Sequence, residues 1–383
     1  MARALYIHWP FCPKKCPYCD FNSHVRREVD NRLWREALLA DLRHEAQVAA
    51  DEPLESIFFG GGTPSLMPPA LVADLLAEAE RLWGFAPGIE ITLEANPSSV
   101  EAEKFAALAA AGVNRVSLGL QALDDATLRF LGRLHMVSES LGALEIARRH
   151  FARVSFDLIY ARPGQSPEAW EAELRRALGF GTGHLSLYQL TIEPGTKFAT
   201  MVRERRFEPL DDDAAADLFA LTREMTAAAG LPAYEISNHA RPGEESRHNL
   251  AYWRYRDYAG IGPGAHGRRC GTATVRHRKP ENWLAGIERS GHGIAEERAL
   301  GTREQAAEAL LMGLRLREGV NLADLAARLG LPRGDLCDAG RLAFYAAQGL
   351  VWTDGARIGV SEAGMPLLDA LLGEIVPERL VAA

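Results

Sequence analysis

The sequence lacks long apolar runs. None of its 383 residues fall in a stretch resembling the roughly 20 consecutive apolar positions that a spanning helix requires. It also lacks a charged leader followed by an apolar signal core, because Met1 runs almost directly into Ala4-Leu5-Tyr6-Ile7. The location expected from this is the cytoplasm. Basic runs are missing too: 43 basic residues stand against 51 acidic ones, for a formal charge of −8. The densest basic stretch, Arg203 to Arg206, is interrupted by Glu204. Phosphate neutralisation needs clustered Lys and Arg, so nucleic acid is not an expected partner. Cysteine is scarce, and five is an odd number, which argues against a disulfide framework. A reducing cytoplasm would in any case keep thiols free. What remains is ordinary for a folded chain, with 47% apolar and 25% charged residues. The length allows two or three domains and a core that needs no covalent staples.

The first two-thirds of the chain alternate between short β-branched runs and longer segments of helical spacing. Strands are expected at Leu5–Trp9, Ser56–Phe59, Glu90–Glu94, Arg115–Leu120, Val154–Tyr160 and His184–Leu190. Helices are expected at Asn31–Ala50, Pro69–Trp83, Val100–Ala111, Ser138–Phe151, Pro167–Phe180 and Asp212–Ala229. Six strand-then-helix units imply parallel strands joined by helical crossovers. Six is fewer than the eight of a closed barrel. The expected fold class is therefore α/β, a partial (β/α)6 barrel, with a doubly wound sheet as the alternative. After Tyr234 the pattern changes to glycine-rich loops such as Gly260-Ile-Gly-Pro-Gly-Ala-His-Gly. From about Thr302 the chain is helical again. Asp354-Gly355 between two apolar runs then signals a hairpin. Helix, hairpin, helix reads as a C-terminal α+β winged-helix-like domain. The expected division is 1–235, a connecting segment 236–300, and 301–383.

The densest chemistry is Phe11-Cys12-Pro13-Lys14-Lys15-Cys16-Pro17-Tyr18-Cys19, just after the first strand. Loops after parallel strands form the functional face of such folds. Three thiolates at spacings of four and three can wrap one soft centre, and the two prolines keep the loop from becoming helix. Three ligands are one short of a closed site. Either an iron–sulfur cluster keeps one iron open, or His8 or His24 completes a zinc site. Cys270 and Cys337 stand apart in sequence.

Further polar residues recur at successive strand ends. Gly60-Gly61-Gly62-Thr63-Pro64 ends the second strand, and glycines there allow a ligand close to the backbone. Glu94 ends the third strand, Gln121 ends the fourth, and Arg133 follows on the next turn. A guanidinium suits a carboxylate through two parallel hydrogen bonds. Asp157 lies inside the fifth strand, where an unpartnered charge is costly. Each alone could be a satisfied core group or a surface charge. Together they could touch one ligand.

The C-x3-C-x2-C spacing resembles that of the radical SAM superfamily. Tyr6-Ile7-His8-x-Pro10-Phe11-Cys12, Gly-Gly-Gly-Thr-Pro, Glu94-x-Asn96-Pro97, and Gly119-Leu120-Gln121 followed by Leu131-Gly132-Arg133-x-His135 narrow the resemblance. They are similar to the coproporphyrinogen dehydrogenase (HemN) and HemW family, over essentially the whole chain. The resemblance implies a [4Fe–4S] cluster on Cys12, Cys16 and Cys19, with S-adenosylmethionine on its open iron. It assigns S-adenosylmethionine to Tyr6, Tyr18, Phe21, Gly61, Gly62, Thr63, Glu94, Gln121, Arg133 and Asp157. One departure is Arg162, where the family usually has a small or apolar residue.

Two activities occur in that family: radical decarboxylation of coproporphyrinogen III, and heme carriage by the HemW heme chaperones. Three features favour the carrier branch. Phe21 stands where the dehydrogenases have a further cysteine. The dehydrogenases also carry an N-terminal extension, whereas this chain begins just before its first strand. Finally, His248-Asn249-Leu250-Ala251-Tyr252-Trp253 matches the H-N-x-x-Y-W motif associated with heme. Imidazole is a common axial ligand, and Tyr and Trp offer flat faces to a porphyrin. The competing reading of this motif is an aromatic core segment, and His266 and Cys270 are rival ligands. The resemblance further implies heme-accepting partners, including membrane respiratory enzymes, and a homodimer.

Overall fold

A computed structural model describes residues 3–26, 28–50 and 52–381. The outer limits of the expected domains, residues 1 and 383, lie outside the described residues. Six strands follow one another in parallel: β1 (Ala4–Trp9), β2 (Leu54–Gly61), β3 (Phe85–Ala95), β4 (Arg115–Gln121), β5 (Arg153–Tyr160) and β6 (His184–Gln189). The crossovers include α1 (Asn31–Ala49), α2 (Pro69–Trp83), α3 (Ser99–Ala102), α4 (Phe105–Ala110), α5 (Val137–His150) and α6 (Pro167–Leu178). α7 (Asp212–Ala228) follows β6. Where one helix was expected over Val100–Ala111, α3 and α4 form instead.

The strands show two faces. Leu5, Ile7, Trp9, Ile57, Phe59 and Leu93 are buried in the main apolar core. Tyr6, His8, Ser56, Thr92, Glu94, Ser117 and Asp157 alternate with such apolar positions. The inner surface of the partial barrel is therefore polar, which is why the strands do not read as unbroken apolar runs.

The stretch 236–300, expected to connect two larger parts, supplies five strands of the main sheet. β7 (Asn238–Ala240) pairs antiparallel with β6. β8 (Tyr258–Ile261) lies parallel to β1 on the other side. β9 (His266–Arg269), β10 (Thr272–Arg276) and β11 (Ile294–Ala299) continue outward as an antiparallel meander. The order across the sheet is β11-β10-β9-β8-β1-β2-β3-β4-β5-β6-β7. Buried charges fasten this extension to α1. Arg276 Nε meets Asp41 Oδ2 and its Nη2 meets Glu45 Oε2, both at 2.8 Å, and all three side chains are fully buried. Arg269 adds a 2.7 Å bond to Glu45. Asp41 also accepts N–H bonds from Gly262, Gly293 and the Trp283 indole. Such a set holds only because each carboxylate is paired and hydrogen-bonded.

A second apolar core is built mostly from the C-terminal part and also takes in Phe219 and Tyr255. β12 (Val320–Asn321), β13 (Val351–Thr353) and β14 (Arg357–Val360) form a small antiparallel sheet behind helices at Thr302–Gly313, Leu322–Leu329 and Ala339–Ala347. The hairpin turns at Asp354 and Gly355, the latter with φ of +87°. Among the described residues no helix is long and apolar enough to cross a membrane.

Candidate functional site

The cysteine loop is built onto the end of β1. Phe11–Cys12 pairs with His24–Val25. Pro17 packs so closely on Gly132 that a Cβ there would lie 2.5 Å from its ring. The glycine turn is clamped to the same loop, with Gly62 N–H bonding Trp9 O (2.7 Å) and Thr63 N–H bonding Phe11 O (2.8 Å). Its glycines are required by this packing. Gly61 has φ of +113°, and a Cβ on it would come within 2.6 Å of the His8 ring. On Gly62 a Cβ would lie 2.6 Å from the Phe11 carbonyl. The sequence suggested room for a ligand; the structure shows crowding by β1 as well.

These elements enclose a cavity of about 380 Å³ at the C-terminal ends of the strands. Cys12, Cys16 and Cys19 all line it, as do Tyr18, Phe21, Gly61, Gly62, Thr63, Glu94, Gln121, Arg133 and Asp157. The topology thus gathers residues that are up to 145 positions apart in sequence, from Cys12 to Asp157. Tyr6 does not join them. It sits deeper in the barrel, its hydroxyl bonded to His8 Nδ1 at 2.9 Å. Because a strand alternates faces, Tyr6 shares the inner surface with the site but lies below it.

The thiols suit an iron–sulfur cluster. Burial raises the Cys12 and Cys19 thiols above their ordinary pKa. Against this, the Thr63 hydroxyl donates to Cys12 Sγ (3.3 Å) and Arg133 Nη1 donates to Cys16 Sγ (3.5 Å). Donors aimed at sulfur favour the thiolate, the form that binds iron. Among the described residues no three His, Cys, Asp or Glu side chains close on an ion-sized point. The expected fourth ligands of a zinc site are engaged elsewhere. His8 Nε2 bonds the Asn22 carbonyl (2.9 Å), and His24 Nε2 bonds Asn22 Oδ1 and the Arg278 carbonyl.

The floor of the cavity suits a cationic, polar ligand. Among the described residues Glu94 and Asp157 form no direct ion pair, although the Arg115 guanidinium is near enough to favour the charge of both. Burial, and then the neighbouring Asp157, push the Glu94 carboxyl up to about 8, despite an N–H bond from Gly61. Burial pushes Asp157 up to about 6, opposed by the Ser186 and Ser117 hydroxyls. Arg133 Nη2 bonds Asn96 Oδ1 (2.6 Å) and Gly119 O (3.0 Å), while its buried Nε has no partner. Gln121 adopts φ of +71°, a left-handed conformation uncommon outside glycine. A left-handed residue, a buried guanidinium and two carboxyls of raised pKa thus meet in one cavity, the kind of polar concentration that marks a binding site.

Sequence reading missed Asn96 as a partner of Arg133, although Asn96 lies within a recognised motif. It also missed Val100 and Leu134 at the mouth, since exposed apolar residues give no periodic signal. Arg162, the departure from the family pattern, is absent from the cavity lining and pairs with Glu173.

His248 lies apart from this cavity. It opens α8 (Arg247–Trp253), below the barrel floor and away from the cysteines. Its side chain is 1% exposed. Nδ1 bonds Ser56 Oγ (3.0 Å), Nε2 bonds the Tyr252 hydroxyl (2.7 Å), and Phe58 stacks on the ring at 5.1 Å. Burial lowers its pKa to about 3, so the ring is neutral. Glu90 secures the helix start by accepting the Arg247 and His248 N–H groups. Neither ring nitrogen is open for an axial bond. Sequence shows an imidazole but not its hydrogen bonds, which is why the motif looked ligand-ready. The rivals His266 and Cys270 are exposed.

Residues 6–177 match the radical SAM superfamily, and residues 301–367 match the HemN C-terminal domain. The mitochondrial radical S-adenosyl methionine domain-containing protein 1 of Mus musculus is 40% identical, over 98% of this chain and 87% of its own. The heme chaperone HemW of Mycobacterium tuberculosis (strain ATCC 25618 / H37Rv) is 35% identical, over 96% of this chain and 93% of its own. The solved coproporphyrinogen III oxidase (HemN) of Escherichia coli superposes with a TM-score of 0.81 at 22% identity, over 97% of this chain and 89% of its own. That last likeness is one of fold.

Proposed function

The chain belongs to the radical SAM superfamily, in the branch that ends in the HemN C-terminal domain, and from that membership we propose that it is a heme chaperone. It binds heme and delivers it to acceptor proteins. The observation that carries this reading is the 35% identity, over 96% of the chain, with a protein named a heme chaperone. Phe21 supports it: the mouth of the cavity bears a phenyl ring, 61% exposed, where the dehydrogenases carry a cysteine.

Cys12, Cys16 and Cys19 would hold a [4Fe–4S] cluster, which in this superfamily binds S-adenosylmethionine and supplies one-electron chemistry. The chain's own residues do the positioning. Thr63 and Arg133 steady two of the sulfurs. Arg133 brings a fixed positive charge to the cavity wall, held by its bonds to Asn96 and Gly119, where it would favour the carboxylate of a bound ligand. Glu94 and Asp157 would compensate a positive ligand and be held ionised by it. The acceptors we propose are heme-requiring proteins, membrane respiratory enzymes among them, reached from the cytoplasm by a homodimer.

The test is an anaerobic hemin titration of the cluster-reconstituted protein, read by Soret absorbance. A saturable, stoichiometric shift that needs no cleavage of S-adenosylmethionine is expected. Absence of binding, with decarboxylation of coproporphyrinogen III instead, would overturn the reading.

A further inference from the structure

We infer that heme docks across the mouth of the cysteine cavity, its macrocycle on an exposed apolar rim and its carboxylates toward Lys14 and Lys15, and not on His248. This rests on the heme-carrier reading and names the site where that cargo sits.

The rim is unusual for its exposure. Phe21 is 61%, Val100 66% and Leu134 66% exposed, and all three line the cavity. Met136, two residues beyond Leu134, is 54% exposed. These four account for much of the exposed large apolar surface of the barrel part. They come from three separate elements: the cysteine loop, α3 and the turn before α5. Isolated surface apolar residues need no explanation, but several converging on one polar cavity mark a binding face. The rim is apolar where the floor is polar, so it suits a second, flatter ligand than the one the floor receives. Phe21 offers the aromatic face that a conjugated macrocycle packs against.

Charge favours the same ligand. Lys14 and Lys15 line the cavity and are exposed. Lys15 Nζ makes a long 3.5 Å contact to the Phe21 backbone carbonyl, which keeps the ammonium near the rim. A planar apolar body carrying two carboxylates on one edge matches an apolar rim with two ammonium groups at its side. By contrast, His248 is enclosed by Ser56, Phe58 and Tyr252, and freeing it would break two hydrogen bonds in a buried setting.

The experiment uses the full-length, cluster-reconstituted protein with two probes, hemin and iron-free protoporphyrin IX. Four proteins are compared: wild type, Val100→Glu, Leu134→Glu and His248→Gln. Circular dichroism and iron–sulfur absorption verify that each is folded and loaded. The expected result is that each rim variant weakens hemin roughly tenfold or more, about 1.4 kcal/mol. Protoporphyrin should bind wild type and weaken in parallel, since the contact is with the macrocycle and its carboxylates. His248→Gln should bind hemin like wild type. Should the rim variants bind hemin unchanged, or should a folded His248→Gln lose it, the site is overturned while the carrier reading stands. Should wild type bind no hemin, the carrier reading falls and this site with it. If one rim variant fails to fold, Lys14→Glu/Lys15→Glu serves in its place. It should weaken hemin several-fold at low salt and less at high salt, as screened surface charges do; unchanged affinity at low salt counts against the site.

Discussion

Replacing Glu94 by Gln should make the ligand-free protein more stable at alkaline pH. The Glu94 carboxyl rises from about 4.5 when unfolded to about 8 in the cavity, because burial and Asp157 disfavour its charge. A raised folded pKa means the folded state binds the extra proton. Its stabilising contribution is therefore full below about 4.5 and is lost as pH rises through about 8. The difference between those two values corresponds at most to about 5 kcal/mol. Glu94 lines an open cavity and is only part-buried, so about 2–4 kcal/mol is the better expectation. Glutamine keeps the shape and never ionises. Urea unfolding of both proteins at pH 5, 7 and 9, with equal cluster loading and no S-adenosylmethionine, gives the difference directly. The two should be nearly equal at pH 5, and the variant should gain with each step upward. A difference that does not change with pH would refute the reasoning. In the same variant, S-adenosylmethionine should bind more weakly at pH 9, where wild type offers an ionised carboxylate.

Three further outcomes follow from the geometry. Cys16→Ser should abolish the iron–sulfur absorption, and a fully retained cluster would contradict its assignment as a ligand. Asp41→Ala leaves the buried Arg276 guanidinium with Glu45 as its remaining carboxylate and orphans the Gly262, Gly293 and Trp283 donors. It should cost about 3–5 kcal/mol in chemical denaturation, and a loss below about 1 kcal/mol would mean that the barrel extension is held by something else. Gly61→Ala meets both a left-handed backbone and the His8 ring at 2.6 Å. It should lower stability by about 1–3 kcal/mol, and an unchanged unfolding midpoint would show that the turn can shift freely.

The six βα units were legible from residue order, because each strand and helix declares its own period within a short window. Pro69–Trp83 and Pro167–Leu178 begin at prolines visible in the sequence. The cysteine loop was equally legible, since three soft ligands within eight residues already define a chemistry. The residues at strand ends could be assembled into one cavity because parallel order places every such end on one face.

Features that depend on partners distant in the chain became visible only once the chain was folded. The strands of 258–299 were hidden because their anchor, the Asp41–Arg276–Glu45 set, joins positions more than 200 residues apart. Tyr6 was placed with the site by a motif, but the depth of its strand position and its bond to His8 put it below the floor. His248 shows the limit most clearly. Its residue type permits both heme ligation and burial. The choice between them rests on Ser56 and Tyr252, which fill both ring nitrogens only once β2 and α8 have packed together.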